Sequence, residues 1–440
     1  MTQNYPQAKQ FMASTHEVEN QPKPLENYNL YLADKALQKA LIREGADWAD
    51  SDLTAFGELA GKKENIELGF QANKYQPELR THDRYGHRID QVDFHPSYHQ
   101  LMTTAIEHGL HASPWSDPTP GAHVARAAKY YLHTQVEASH GCPITMTFAS
   151  IPALRHQPDL LKEWGPKITA RHYDSRNIPH TEKSAVTIGM AMTEKQGGSD
   201  VRRNSTRAYP VSKEGAGQAY ELIGHKWFVS APMCDAFLVL AQTNSGLSCF
   251  LVPRWRPDGS KNPIQIQQLK QKMGNAANAS SETELRGALG WMVGEEGRGV
   301  RTIIEMAYPF VLKQRKVNLN KKAAIVCPDG EQHELGARMV SDYLRIMGYE
   351  TYFVGRDTPR LEFLDMIKVL DLDVVAISVT NYYNLSKALQ TVVDVKEHFP
   401  EVTFVAGGRG LDVNSEVLIK HDVLITHDLN DLKRYLGGNA

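Results

Sequence analysis

The chain is poor in cysteine, with four in 440 residues, and no two of them stand in a C-x-x-C spacing. Cys142, Cys234, Cys249 and Cys327 thus outline neither a disulfide framework nor a zinc site, and they read as small buried hydrophobes of a reducing cytosol. Long apolar runs are missing as well. None approaches the roughly 18 residues of a membrane span, and the polar start "MTQNYPQAKQ" has no apolar core of a secretory signal. An excess of either charge is also lacking: 49 basic residues stand against 51 acidic ones, and from Tyr308 onward 16 against 18. That balance disfavours a DNA- or RNA-binding platform in either half. The one basic cluster, "KQRKVNLNKK" at 313–322, reads as a solvated linker. What is present is the composition of an ordinary soluble globular protein, 41% hydrophobic and 23% charged, long enough for two to three domains, and a cytoplasmic location is expected.

Three regimes follow one another. From about 28 to 185, apolar residues recur at helical steps, as in "NLYLADKALQKALIREG" and "HPSYHQLMTTAIEHGLH". From about 186 to 290 the period shortens to strands, "YELIGHKWFVSA", "AFLVLAQT" and "LSCFLVP", broken by Gly, Asn, Asp and Pro. From 322 onward strand and helix alternate: "KAAIVC", "TYFVG", "DVVAISV" and "VTFVAGG" are each followed by a helical segment. The pattern predicts a multidomain chain, α+β and then α/β. A helical domain is expected over 1–185, a β-barrel or sandwich over 186–295, and a helix remnant with a basic linker over 296–320. A doubly wound, Rossmann-like (flavodoxin-like) parallel sheet is expected over 321–440.

In an open parallel sheet, ligands sit beyond the carboxyl ends of the strands. Glu331 and His333 lie at such an end, in "CPDGEQHELG", and Gly336 opens the helix that follows. Ser378 and Thr380 close a later strand, and Gly407 and Gly408 close another. Written out, the spacing is E-x-H-x-x-G, 41 residues, S-x-T, 26 residues, G-G.

This spacing resembles the signature of the cobalamin (vitamin B12)-binding domain, D-x-H-x-x-G, S-x-L, G-G. The resemblance covers about 120 residues. It implies a corrin over the strand ends, its nucleotide tail in a slot of the sheet, and His333 as the lower ligand to cobalt. Ser378 and the glycine pair would line the tail. Glu331 stands where the family usually has Asp, as in its sensory, light-responsive branch, and Thr380 where it usually has Leu. A carboxylate two residues upstream can accept the second N–H of the imidazole and so fix its tautomer. Tyr382 and Tyr383 are candidates to pack on the corrin, whereas His421 and His427 read as surface residues.

Further upstream, "MTEKQGGSDV" at 192–201 follows a strand and turns on Gly-Gly with hydroxyls at Thr193 and Ser199, and "GHKWFVSAP" offers Trp227 and Ser230. Together with "CPITMTFA" and "GLSCFLVPR", these stretches resemble the AidB-type branch of the acyl-CoA dehydrogenase family, from about residue 17 to 307. The resemblance implies FAD contacts from Met192, Thr193, Ser199, Trp227 and Ser230, with Trp227 beside the isoalloxazine, and an acyl-CoA as substrate class. It ends at Tyr308, after "GEEGRGVRTIIEMA", before the helical domain that supplies the family's catalytic glutamate and much of its FAD and DNA surface. Ala276 also stands where the branch usually has an arginine. No catalytic residue is therefore nominated.

The first expectation is a cobalamin-binding protein fused to a truncated flavoprotein region. The alternative is an FAD-dependent oxidoreductase of the DNA alkylation-damage type that carries the cobalamin domain as a sensor or appendage. The expected partners are corrinoid and flavin, with no membrane, and self-association through apolar surface left uncovered on the barrel.

Overall fold

In the computed structural model, residues 18–196, 201–304, 319–412 and 414–436 are described. The chain divides into two compact units, one up to Met306 and one from Ala307. Ser199 and most of the basic linker lie outside the described residues.

The first unit begins with helices whose apolar faces close on one core. Helices α1 (Asp50–Gly61), α2 (Pro96–Glu107) and α3 (Ala122–Thr134) pack through Leu53, Phe56, Leu101, Met102 and Leu132, each at most 2% exposed. Their starts are set locally: at α2, Pro96 occupies the first turn and the His95 imidazole accepts from the Ser97 N–H. Inside this helical stretch lies a hairpin that the helical periodicity did not suggest, strands β1 (Glu78–His82) and β2 (Arg88–Asp93). Its turn is held by Asp83, whose carboxylate accepts the N–H groups of Tyr85 and His87.

Helices α4 (Gly141–Leu154) and α5 (Pro158–Ile168) lead to the β region. Seven strands follow: β3 (Ile188–Ala191), β4 (Arg207–Pro210), β5 (Ala219–Ser230), β6 (Ala236–Thr243), β7 (Gly246–Pro253), β8 (Ile264–Leu269) and β9 (Ser280–Val293). Pairings β5–β9, β9–β7, β7–β6, β6–β3 and β3–β5 return to their starting point, so the sheet closes. Closure leaves those strands no free edge. Its interior is filled by Leu222, Val239, Phe250 and Met292, and its outer face meets α5 through Trp164 and Ile168.

The second unit is a five-stranded parallel sheet: β10 (Lys322–Pro328), β11 (Glu350–Thr358), β12 (Val374–Ser378), β13 (Thr403–Gly407) and β14 (Val423–Thr426). The order is β11-β10-β12-β13-β14, with β10 at the point where the winding reverses. Helices α6 (Leu335–Met347) and α9 (Leu429–Leu436) cover one face, through Ala337, Leu344, Leu432 and Leu436. Helices α7 (Arg360–Leu370) and α8 (Leu385–His398) cover the other, through Phe363, Ile367, Val392 and Val395. Strands buried on both faces must be apolar at every position, as "AAIVC" and "VVAI" are.

Candidate functional site

At the switch point, β10 and β12 diverge toward opposite connections, and a crevice opens beyond their ends. The chain leaves β10 through a turn in which the Glu331 N–H donates to the Pro328 carbonyl at 2.9 Å, with Gly330 at φ +83°. A side chain at Gly330 would be strained there, and the turn drives Glu331 inward, where it is fully buried.

The Glu331 carboxylate has two distinct sets of partners. Oε1 lies 2.7 Å from Nδ1 of His333 and accepts the His333 N–H at 3.1 Å. Oε2 accepts the backbone N–H groups of Thr380 (3.0 Å) and Asn381 (2.8 Å) and the Asn384 side-chain amide (3.2 Å). Burial would raise this carboxyl, yet the hydrogen bonds from Asn381, His333 and Asn384 outweigh it and bring the pKa down to about 2. An ionised carboxylate can only accept, so the His333 Nδ1 carries the proton. In the neutral imidazole Nε2 is then the nitrogen with the free lone pair, on a side chain that is 68% exposed. Among the described residues, no group of three or more His, Cys, Asp or Glu could hold a bare metal ion.

Thr380, whose N–H the Glu331 carboxylate accepts, lines a cavity of about 630 Å³ between one face of the sheet and helices α6 and α9. Small residues make it. Ser378 and Gly407 are paired in register at its mouth, and Gly336 faces them from α6, where an added Cβ would lie 3.9 Å from the Ser378 hydroxyl. Gly408 has φ +114°, and a Cβ there would lie 2.4 Å from the Val379 carbonyl. Only glycine fits that position. Glu331, His333, Gly336, Ser378, Thr380, Gly407 and Gly408 thus share one edge of the sheet. Thr380 serves Glu331 with its backbone N–H and lines the cavity with the rest of the residue.

Several residues at this edge were not nominated from sequence. Asn381 and Asn384 complete the Glu331 cradle, and His427, though exposed as expected, stands with Thr426 and Asp428 on the cavity rim. Tyr382 and Tyr383 follow the cradle and are 46% and 84% exposed.

In the first unit, four of the five nominated residues meet on one edge of the barrel. Met192 and Thr193 follow β3, and the Thr193 carbonyl accepts the Trp227 N–H at 2.9 Å. This bond exists because β5 bulges: Trp227 and Phe228 fall between the register pairs Lys226–Thr283 and Val229–Ser281. The bulge turns the indole outward, 36% exposed, and the Lys270 ammonium stands 3.1 Å from its ring centroid while donating to Glu282. Ser230 pairs with Met190 across β3 and lies 3.5 Å from the Ser280 hydroxyl. Below this edge, Glu194 and Lys226 form an ion pair at 3.0 Å with both side chains fully buried. Glu194 also accepts the N–H groups of Ser205 and Thr206, which ties the residue after Thr193 to the residues just before β4.

Comparison with known proteins agrees with this division. Residues 20–175 match the adaptive response protein AidB N-terminal domain, residues 189–288 the acyl-CoA dehydrogenase middle domain, and residues 321–428 the B12 binding domain. AidB of Escherichia coli (strain K12) is 50% identical over 294 residues, which cover 66% of this chain and 54% of AidB. Acyl-CoA dehydrogenase family member 11 of Caenorhabditis elegans is 30% identical over 288 residues, covering 62% and 45%. The chain therefore spans about half the length of these relatives. Among solved structures, the apo form of Bd2924 superposes with a TM-score of 0.58 at 29% identity, over 66% of this chain and 58% of that one. Caenorhabditis elegans ACDH-11 in complex with C11-CoA gives 0.59 at 24% identity over 89% and 65%, a likeness of fold. The chain joins an AidB-like, acyl-CoA dehydrogenase-like region to a B12 binding domain.

Proposed function

We propose that this protein binds cobalamin through its second unit, with His333 as the lower cobalt ligand and the nucleotide tail in the slot beside it. One observation carries the reading: the buried Glu331 carboxylate engages Nδ1 of His333 with one oxygen and, with the other, the N–H of Thr380, a residue that lines a 630 Å³ cavity. The residues fit the group. A single imidazole supplies one donor, as suits a metal whose equatorial ligands arrive with the corrin, and Gly336, Gly407 and Gly408 leave the backbone bare where a tail would pass. Bound cobalamin supplies cobalt–carbon and cobalt redox chemistry. The chain's own part is to bind, to orient the imidazole and to hold the proton on Nδ1.

The test is a spectral titration with aquocobalamin. Base-off, histidine-on binding is expected for the wild type and is lost in His333→Ala. Equal spectra and affinities for the two proteins would refute the assignment.

A second reading, a flavin-dependent oxidoreductase acting on acyl-CoA, is favoured by the Thr193–Trp227 bond that gathers Met192, Thr193, Trp227 and Ser230. These residues suit the ring of a flavin only in part, because the Lys270 ammonium stands over one face of the indole. That reading expects a yellow protein whose flavin bleaches with an acyl-CoA. A colourless preparation that ignores added FAD would end it.

A further inference from the structure

The floor of the slot differs in chemistry from its mouth. Along one face of the sheet the residues form two layers. Ile325, Ala376 and Val405 are mutually in register and make the inner layer; Ser378 and Gly407, two residues further along their strands, make the outer one. The inner layer lines the cavity while at most 4% exposed, and helix residues Ala337 and Leu432 line it from the other side. The polar side chains that line the cavity, Ser378, Thr380, Arg409, Thr426, His427 and Asp428, all stand at or beyond the strand ends. The Thr426 hydroxyl is already committed to the Ala406 carbonyl at 3.2 Å. Below the mouth, among the described residues, the lining side chains are apolar, and Met339 brings the one weak acceptor, its thioether sulfur.

Resting on the corrinoid reading above, we infer that this floor selects the base of the corrinoid tail: it accepts a benzimidazole or another arene edged with C–H groups and rejects a purine. Corrinoids differ in this base. The far edge of a dimethylbenzimidazole carries methyl groups, which gain by contact with Ile325, Val405 and Leu432. Adenine would bring an exocyclic amine and ring nitrogens to the same place. Each would give up water and find no partner, and an unpaired buried polar group is penalised strongly enough to weaken binding by about tenfold or more. The selection belongs to the inner layer and not to His333, which sees the cobalt alone.

The experiment compares three corrinoids on the full chain by spectral titration: benzimidazole-tailed cobalamin, its adenine-tailed counterpart, and tail-less cobinamide. Cobalamin is expected to bind at least about tenfold more tightly than the adenine form, and cobinamide to bind more weakly than cobalamin. Val405→Thr, which places a hydroxyl on the floor, is expected to narrow the gap between the two tailed forms; Ile325→Thr serves the same purpose if the first variant fails to fold. Equal affinity for the two tailed forms overturns the inference and leaves the corrinoid reading standing. A gap unchanged in a folded floor variant overturns its assignment to this layer. Failure of all three corrinoids to bind overturns both readings together.

Discussion

Glu331 and His333 are bound to each other twice, through Oε1 to the ring Nδ1 at 2.7 Å and to the backbone N–H at 3.1 Å. The other oxygen of the same carboxylate gathers the chain beyond β12, so one buried side chain ties two strand ends together. Removing its charge should act on the ring as well as on the fold. Glu331→Gln is expected to weaken corrinoid binding about 10- to 100-fold. It should also shift the absorption bands that report histidine-on ligation, which a purely structural loss would leave in place in the fraction that binds. An unaltered spectrum at unaltered affinity would remove Glu331 from any positioning role.

The same carboxylate makes stability depend on pH. Its pKa in the folded chain is about 2, below its ordinary value of 4.5. A group whose folded pKa is depressed contributes stability above the unfolded value and loses it as the pH falls toward the folded one. The wild type should therefore melt above Glu331→Gln at pH 6, with the difference shrinking from pH 4.5 to 2. A difference that grows on acidification would contradict the hydrogen-bonding account.

Legibility from sequence followed the range of the interactions. E-x-H-x-x-G could be read because Glu331, His333 and Gly336 share one loop and one helix start, and their spacing is the geometry. Asn381 and Asn384 could not, since their tie to Glu331 depends on β10 and β12 becoming neighbours across some 50 residues of chain. His427 was passed over for the same reason: only the strand order brings β14 to the slot. The hairpin at 78–93 was hidden by its flanks, although alternation in "RIDQVD" and the Asp83 turn were visible locally. In the barrel, the motif containing Met192 and Thr193 was plain, but the bulge that turns Trp227 outward, and Lys270 above it, needed the register of β5 on β9.

The Glu194–Lys226 pair offers a test confined to the first unit. With both side chains fully buried, removing one partner strands the other. Burial lowers the Lys226 pKa to about 8 despite its acidic partner, a sign of how dry the site is. Lys226→Met is expected to destabilise the unit by about 3–5 kcal/mol. The double variant Glu194→Gln/Lys226→Met should lose less than the two single changes added together, by urea denaturation. Strict additivity would mean that the two charges do not feel each other.

Gly336 separates the slot from the fold more cleanly than any residue that touches the carboxylate. It sits in the first turn of α6, is exposed, and among the described residues beyond its own helix turn has the Ser378 hydroxyl alone near its missing Cβ, at 3.9 Å. A helix gains up to about 1 kcal/mol when glycine is replaced by a good helix former. Gly336→Leu should thus melt at or above the wild-type temperature while its side chain occupies the mouth of the slot. If the tail enters there, as proposed, cobalamin should bind more weakly, and tail-less cobinamide, which has nothing to insert, should bind as before. The contrast isolates the cavity because both corrinoids present the same cobalt to the same imidazole. Cobalamin bound at wild-type affinity by this variant would mean that the tail lies elsewhere, whatever His333 does.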